Sequence, residues 1–289
     1  MNLKSKLDSG NFTILAEIDP PKGADASGMV SNAKKVKGKV DAFVVPEMSN
    51  AVMRMSSLGG ATILQNHGLE TIMQVCCRDR NRIALQADIL AANGCGISNI
   101  MTVTGEDPSF GDHHQAKSVY DIDVIELLHT IQKLRHGKDM AGIELAGSPD
   151  LFAGSTVIPG FKGQAFEFEL EEMKKKTDAG ACFFVTPPLF NLPAIEPFIN
   201  RVDYKKTNII PTVLLLKSVG MARYMDRNID HVHIPQTLIN RIQKSSDKTR
   251  ECITIASEII STLKNEGFKG VLISTVGWEN KLPDILETI

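Results

Sequence analysis

The sequence has no long hydrophobic run, and this absence argues against a membrane span. Its longest apolar stretch, Ile209–Leu216, is interrupted by Pro211, whereas crossing a bilayer takes about 20 consecutive apolar residues. The first twelve residues mix charges with isolated apolar side chains and lack the apolar core of a secretory signal. We therefore expect a cytoplasmic protein without a membrane span.

An excess of charge of either sign is also absent. A formal net charge of −2 over 289 residues supplies no general field for holding a polyphosphate backbone, so we expect no nucleic-acid partner. Any anionic ligand has to be bound by a local group of cations.

Paired cysteines are missing as well. The five cysteines lie among apolar neighbours without CxxC spacing, which predicts reduced thiols in the core. His231 and His233 share one side of an extended segment, but no third metal ligand is evident, so we interpret them, like His113 and His114, as structural. With no ligand set for zinc or an iron–sulfur cluster, we predict no metal. Redox chemistry here requires a bound organic cofactor.

What the sequence does contain is an alternation of short β-rich apolar runs with longer segments of helical period. This alternation is typical of a parallel sheet built from βα units. Eight such runs suit a (β/α)8 barrel, which takes about 250 residues, although two smaller domains also fit the length. The runs are Ile14–Ile18, Asp41–Val45, Thr71–Cys77, Asn99–Thr104, Gly142–Ala146, Phe183–Thr186, Asn208–Leu214 and Gly270–Thr275.

Capping residues predict where several of the helices between these runs begin or end. Asp121 can cap a helix that runs to residues 136–137, and a helix over Glu167–Ala179 ends before a glycine. Arg80–Asn93 and Asp247–Asn265 have apolar spacing that suits packing one helix face on a sheet.

Polar or conformationally special residues follow most of the runs, and their positions favour a barrel over a doubly wound sheet, which also fits the alternation. In a (β/α)8 barrel these positions converge on one mouth, where active sites lie. We therefore predict an α/β protein with a single (β/α)8 TIM barrel domain over residues 1–289. The residues in question are Glu17, Pro46–Glu47, Arg78–Arg80, Gly105–Asp107, Ser148–Pro149, Pro187–Pro188, Lys217 and Gly277–Trp278.

Three of these features suggest chemistry. Glu17 is a carboxylate in an apolar strand, and burial would keep it protonated as a proton donor, unless it faces outward. Arg78, Arg80 and Arg82 cluster where a helix dipole prefers anions, which suggests a bound phosphate or else a solvated charge run. Gly105 allows the backbone to approach a flat ligand, or serves only a turn.

Several blocks of the sequence resemble methylenetetrahydrofolate reductases, in the same order and over nearly the whole chain. The branch that they resemble occurs with corrinoid methyl-transfer pathways. The resemblance implies a (β/α)8 barrel with flavin at its carboxyl-terminal mouth. The blocks are Phe12–Gly23, Arg78–Gln86, Thr102–Pro108, Gly111–His113, Lys117–Asp121, Lys175–Ala181, Ile210–Pro211, His233–Pro235 and Gly267–Val271.

The resemblance implies a ping-pong reaction that converts 5,10-methylenetetrahydrofolate to 5-methyltetrahydrofolate. NAD(P)H or a partner electron-transfer subunit reduces the flavin, and the reduced flavin then reduces the methylene carbon. Glu17 matches the general acid, which protonates a folate nitrogen and opens the ring to an iminium. Glu106 aligns with an aspartate near the flavin that favours the developing cation.

The same resemblance assigns binding residues. The cofactor is FAD, with FMN as the alternative, and the folate is the substrate. A homo-oligomer or a hetero-complex is expected. The implied cofactor-binding residues are Gln74, Arg78, Arg80, Gly105, Ser148, Glu169 and Lys176, and the implied substrate-binding residues are Glu17, Glu106, Pro187, Val219 and Val276.

Departures from the family pattern leave two other functions open. Pro187 stands where many relatives have a glutamine that contacts the folate, Ser148 replaces a tyrosine or asparagine, and Pro46 replaces a threonine near the flavin. One alternative is a flavin-carrying subunit of a larger electron-transfer complex. The other is a barrel that binds a pterin or a corrinoid partner without redox activity.

Overall fold

Eight parallel strands close into a barrel in chain order, with β8 returning to pair with β1. The computed structural model describes residues 2–204, 206–229 and 231–289. This architecture confirms the predicted (β/α)8 TIM barrel. The strands are β1 Thr13–Glu17, β2 Ala42–Val45, β3 Thr71–Cys76, β4 Asn99–Val103, β5 Phe152–Thr156, β6 Phe183–Pro188, β7 Asn208–Leu214 and β8 Gly270–Ser274.

The helices surround this barrel, and α1 precedes the first strand. The loop and helical region between β7 and β8 is the longest of the crossovers. The helices of the described residues are α1 Leu3–Asp8, α2 Ser27–Lys35, α3 Ser57–Asn66, α4 Arg82–Gly94, α5 Val124–Arg135, α6 Gln164–Asp178, α7 Glu196–Ile199, α8 Val219–Asn228, α9 Gln236–Lys244, α10 Lys248–Asn265 and α11 Leu282–Leu286.

The lumen of the barrel is filled by alternate residues of the strands, because side chains in a strand point to opposite faces in turn. Leu15, Ile72 and Leu272 belong to this interior cluster. Leu3 and Leu7 of α1 complete it, so α1 closes the amino-terminal end of the barrel. The opposite end, which we call the mouth, is formed by the carboxyl ends of the strands.

Side-chain caps set the starts of several helices. Asn81 accepts a hydrogen bond from the Ala84 amide at 3.0 Å, which begins α4 two residues after the predicted start. Asp123, not Asp121, caps α5 and forms a capping box with Glu126. Asp121 was therefore the wrong cap, and its carboxylate binds an arginine instead.

The prediction of the fifth strand was wrong. Gly142–Ala146 forms only an isolated bridge, and Ile143 is 65% exposed. The true β5 lies ten residues later and contains Gly154, where an added Cβ would lie 2.3 Å from the Phe183 ring. Gly154 leaves room for the Phe183 ring, but a glycine also weakens the sequence pattern by which β5 could be recognised as a strand.

Among the described residues, none of the helices combines the length and the hydropathy that a membrane span requires.

Candidate active site

The mouth collects polar side chains because several lumen-facing positions change from apolar to polar at the strand ends. In β1, Leu15 is followed two residues later by Glu17, and in β8, Leu272 is followed by Ser274. Leu15 lies opposite Leu272 in the register of the two strands. Continuing this register places the side chains of Glu17 and Ser274 next to each other on the lumen face.

Glu17 is held by one hydrogen bond in a largely buried setting. The Ser274 hydroxyl donates to Oε1 of Glu17 at 2.7 Å. Burial raises the pKa of Glu17 to about 7, the Ser274 hydrogen bond opposes this rise, and the carboxylates of Asp19 and Glu279 add to it. This carboxyl group can therefore be neutral near physiological pH, and its role as a proton donor stays a prediction.

The loop after β8 lies beside this acid in a strained conformation. Val276 has a φ of +49° and is 43% exposed. A β-branched residue in this region of backbone space is a genuine outlier, and such strain is common at functional sites. The Lys217 ammonium donates to the Val276 carbonyl and lies 5.2 Å from the centre of the Trp278 ring. Lys217 thus holds the loop that presents Val276 at the mouth.

Gln74 presents an amide donor at the mouth. It lies two residues after Ile72 on the lumen face of β3. Its Oε1 accepts a hydrogen bond from the Glu47 amide at 3.1 Å, and this bond fixes the orientation of the side chain. No partner for its Nε2 occurs within the described ranges, so the NH2 group is left to donate to a ligand.

A buried network of charged and polar groups supports the strand end that carries Gln74. The Glu47 carboxylate accepts from the Ser57 hydroxyl and from Arg80 Nη2 at 3.2 Å. Arg80 also donates to Asp88 at 2.5 Å. The Ser57 hydroxyl reaches the Gln74 carbonyl at 2.7 Å. The network therefore ties the end of β2 to the end of β3 and to the start of α3.

The arginine cluster does not form the open phosphate cradle suggested by its charge. Arg78 is only 2% exposed and donates to Asp79 at 2.7 and 2.8 Å. Arg80 has the partners just described, and Arg82 donates to Asp121 at 2.9 Å. Each cation is paired with a carboxylate, in a buried setting for Arg78 and Arg80 and at the surface for Arg82.

The end of β4 packs directly on the end of β3. Gly105 has a φ of +90°, and an added Cβ would lie 2.2 Å from the Cys76 sulfur. Arg78 donates to the Glu106 carbonyl at 3.1 Å, and its guanidinium lies 3.6 Å from the Glu106 carboxylate. The Glu106 side chain is 53% exposed. Gly105 is therefore required for packing, while Glu106 stays accessible to a ligand.

Glu169 and Lys176 both hold the end of β5 from α6. Oε1 of Glu169 accepts from the Ile158 amide at 2.9 Å. The Lys176 ammonium donates to the Thr156 carbonyl at 2.9 Å. Burial raises the pKa of Glu169, and the neighbouring Lys176 opposes the rise. An ammonium group has three protons, so Lys176 keeps further donors for an anion.

The remaining candidates are divided between the two ends of the barrel. Pro187 lies at the end of β6, where the pairing register with β7 shifts, and it is half-buried. Val219 begins α8 and packs partly on the core. Ser148 comes four residues before β5, towards the amino-terminal end. The premise that Ser148 follows a strand was wrong, because it rested on the misplaced fifth strand.

Sequence reasoning missed a cleft beside the mouth, between the loops that follow β2 and β4. Its volume is about 600 Å³, and its walls include Met48, Met53 and His113. Asp112 ties the walls together because it accepts from the Met53 amide at 2.9 Å and pairs with Lys22. These contacts lower the pKa of Asp112 to about 2. No short sequence motif joins these loops, so spacing alone could not indicate the cleft.

The histidine pair lies in a different loop region and is engaged by protein groups. His233 Nδ1 lies 3.1 Å from the Asp226 carboxylate, and His231 packs edge-on against Phe161. Within the described parts of the chain, no three His, Cys, Asp or Glu side chains converge to hold a metal ion.

Solved structures resemble the barrel as a whole. An EDTA monooxygenase from Chelativorans sp. BNC1 gives a TM-score of 0.56 at 10% identity and covers 96% of this chain and 93% of its own. A 2,3-dimethylmalate lyase gives 0.56 at 10% identity, covering 99% and 81%. An oxaloacetate acetylhydrolase gives 0.57 at 11% identity, covering 99% and 83%. At such low identity these likenesses concern the fold alone.

Sequence comparison identifies the family. The curated protein "Methylenetetrahydrofolate reductase 2" of Schizosaccharomyces pombe is 22% identical over an alignment of 256 residues, and the alignment covers 84% of this chain. The match spans 38% of that protein, well under half of its length. The family described as "Methylenetetrahydrofolate reductase" matches residues 2–289. The chain therefore belongs to the methylenetetrahydrofolate reductase family.

Proposed function

We propose that this barrel reduces 5,10-methylenetetrahydrofolate to 5-methyltetrahydrofolate by a flavin-dependent ping-pong reaction. The observation that carries the proposal is Glu17, a carboxyl group at the mouth whose pKa is raised to about 7 by burial. Such a group is a competent acid at neutral pH, and opening the methylene-bridged ring requires protonation of a folate nitrogen. Family membership supports the same reaction.

The residues at the mouth fit a flavin, with FAD as our first choice and FMN as the second. The Gln74 Nε2 has no partner among the described residues, and a flavin ring offers acceptor atoms to such a donor. Lys176 keeps donors for a phosphate or a ring oxygen. When bound, a flavin supplies hydride transfer. We propose that Arg78, Arg80 and Glu169 also belong to the cofactor site, where they support the strand ends.

Side chains of the protein supply the proton and stabilise the charge that forms on the folate. Glu17 gives its proton to the folate nitrogen and becomes a carboxylate, which the Ser274 hydroxyl already stabilises by its hydrogen bond. Glu106 is exposed and anionic, so it can stabilise the positive charge that develops on the opened ring. We assign Val219 and Val276 to apolar contacts with the folate, and Pro187 to its pterin edge.

The electron donor distinguishes this proposal from the second candidate, a flavin-carrying subunit of a larger electron-transfer complex. We propose NAD(P)H as the donor and a cytoplasmic location. NADH oxidation by the isolated protein supports an independent reductase, whereas reduction only with a partner subunit, in a hetero-complex, supports the second candidate.

The bound cofactor can be tested on the purified protein. We expect a flavin absorbance spectrum, and we expect heat-released cofactor to have the mass of FAD. Elemental analysis should find no stoichiometric iron or zinc. A protein that retains a stoichiometric metal after dialysis and shows no flavin spectrum contradicts the proposed cofactor.

Pro187→Gln is expected to tighten folate binding by a modest factor. Proline has no side-chain donor, and a single hydrogen bond contributes about 0.5–1.5 kcal/mol net, which corresponds to roughly 2- to 12-fold in affinity. The Pro187 carbonyl already accepts from the Thr186 hydroxyl at 2.8 Å, so the strand end has local support that does not depend on the proline ring.

Calorimetric titration of both proteins with the folate measures this change. Pro188→Gln is the matched control, because it makes the same chemical change at the adjacent position of β6 and should leave the affinity unchanged. Unchanged or weaker binding in a Pro187→Gln protein whose crystal structure retains the strand means that this site recognises its ligand differently.

A further inference from the structure

We infer that Ser274 is a positioning residue, which orients the Glu17 carboxyl group so that Oε2, and not Oε1, carries and delivers the proton. This inference rests on the proposed role of Glu17 as the acid. Ser274 itself contacts neither folate nor cofactor in this proposal. It acts through one hydrogen bond across the seam between β1 and β8.

The proton of the Ser274 hydroxyl points to the Glu17 carboxyl group. Ser274 is buried, and its hydroxyl lies 2.7 Å from Oε1 of Glu17. In the described part of the chain, this carboxyl oxygen is the one acceptor that the hydroxyl reaches. A hydroxyl has a single proton to donate, so Oε1 receives it and acts as an acceptor.

The acidic proton of Glu17 belongs to the other carboxyl oxygen. An oxygen that accepts the Ser274 hydrogen bond is the carbonyl oxygen of the neutral acid, so the acidic proton is on Oε2. No hydrogen-bond partner for Oε2 occurs among the described residues, and this oxygen is not fully enclosed. When Oε2 releases its proton to the folate nitrogen, the O–H bond breaks, an N–H bond forms and the electron pair stays on the carboxylate. Solvent returns the proton before the next turnover.

The Ser274 hydroxyl and the nearby carboxylates act on Glu17 in opposite directions. Asp19, at the end of β1, and Glu279, in the turn after β8, both disfavour the carboxylate form of Glu17. Arg54 and Lys217 act on Asp19 and offset its charge. Among the groups that act on Glu17, the Ser274 hydroxyl favours the carboxylate. Ser274 therefore makes the buried carboxyl group a stronger acid than burial alone would leave it.

The test measures the titration of Glu17 directly. Glutamate labelled with ¹³C at the side-chain carboxyl is introduced into the full chain, and Glu17→Gln identifies the Glu17 signal by its disappearance. Ser274→Ala is expected to raise the pKa of Glu17 by roughly 0.5–1 unit, the effect of one hydrogen bond. Ser274→Thr restores a hydroxyl and should return the pKa to the wild-type value.

Thr275→Val is the matched control. Thr275 is the next residue along the chain, and its hydroxyl is buried without a hydrogen-bond partner in the described residues. The near-isosteric change to valine should leave the Glu17 titration unchanged. If Ser274→Ala fails to fold, Ser274→Cys replaces the hydroxyl with a weaker donor and should give a smaller rise.

The result that overturns the inference is an unchanged Glu17 titration in a folded Ser274→Ala or Ser274→Cys protein. A rise of equal size in Thr275→Val also overturns it, because the effect would then be one of general packing. A different result contradicts the proposed function, namely full folate reduction by Glu17→Gln. In that case Ser274→Ala can still shift the Glu17 signal, so the two failures are distinguishable. If both proposals hold, the alkaline limb of the pH–rate profile for folate reduction moves to higher pH in Ser274→Ala, by the same amount as the measured pKa of Glu17.

Discussion

Glu17→Gln is expected to slow reduction of the methylene-folate by at least ~10²-fold, because loss of a general acid typically costs 10²–10⁴-fold in rate. Glutamine keeps the size of the side chain and can still accept the hydrogen bond from Ser274. Flavin binding and flavin reduction by the electron donor should therefore be retained. Stopped-flow measurement of the two half-reactions separates these effects, since only the folate half-reaction uses the acid.

The pH dependence gives a second measure of the same role. A general acid works in its protonated form, so the wild-type folate half-reaction should fall about tenfold per pH unit above the Glu17 pKa of about 7. This limb should be absent in Glu17→Gln. Glu279→Gln, which alters a neighbouring carboxylate, is the control and should change the rate by less than tenfold. A wild-type rate in Glu17→Gln would remove Glu17 from the mechanism.

Glu47→Ala is expected to lower the free energy of unfolding by on the order of 3 kcal/mol, because removing one partner of a buried ion pair leaves the other charge uncompensated. The Glu47 side chain is 2% exposed and that of Arg80 is 16% exposed. Arg80 keeps only the Asp88 contact in the variant. Because the Glu47 loop also orients Gln74, flavin affinity should fall together with stability. Urea unfolding and flavin titration measure the two effects.

Asp88→Asn is the matched control, because Asp88 is the second carboxylate on the same arginine but its side chain is 30% exposed. A pair with solvent access contributes little, so its loss should cost at most about 1 kcal/mol. Equal losses in Glu47→Ala and Asp88→Asn would mean that burial of the Glu47 pair is not what stabilises the β2 and β3 ends.

Most of the fold could be predicted from the sequence, because apolar runs and helical segments alternate with regular spacing. The failure at β5 has a specific cause. Ile143 and Leu145 give a strand-like pattern to an exposed turn region, whereas Gly154 weakens the pattern of the real strand. Gly154 is small because the Phe183 ring fills the adjacent lumen, and this requirement comes from a strand 29 residues later in the chain.

Only part of the candidate site could be predicted, because the residues that contact its side chains are distant in the sequence. Glu17 stood out as a carboxylate in an apolar strand. Ser274 gave no such signal, since a serine at a strand end is ordinary and its importance depends on the register between the first and last strands. The partners of Arg80 and Arg82, such as Glu47 and Asp121, lie on other loops. Local charge counting therefore could not show that carboxylates of the protein itself pair with these cations.

The hydrogen bond between Glu17 and Ser274 joins residues 257 positions apart. Contacts of such long range form late in folding, because a large loop must close before they contribute. During synthesis, β8 leaves the ribosome long after β1, so the first strand stays without its partner until all eight strands have been made. The acid therefore acquires its protonation properties only when the barrel closes. In a refolding experiment, the carboxyl signal of Glu17 would report barrel closure rather than the earlier formation of helices.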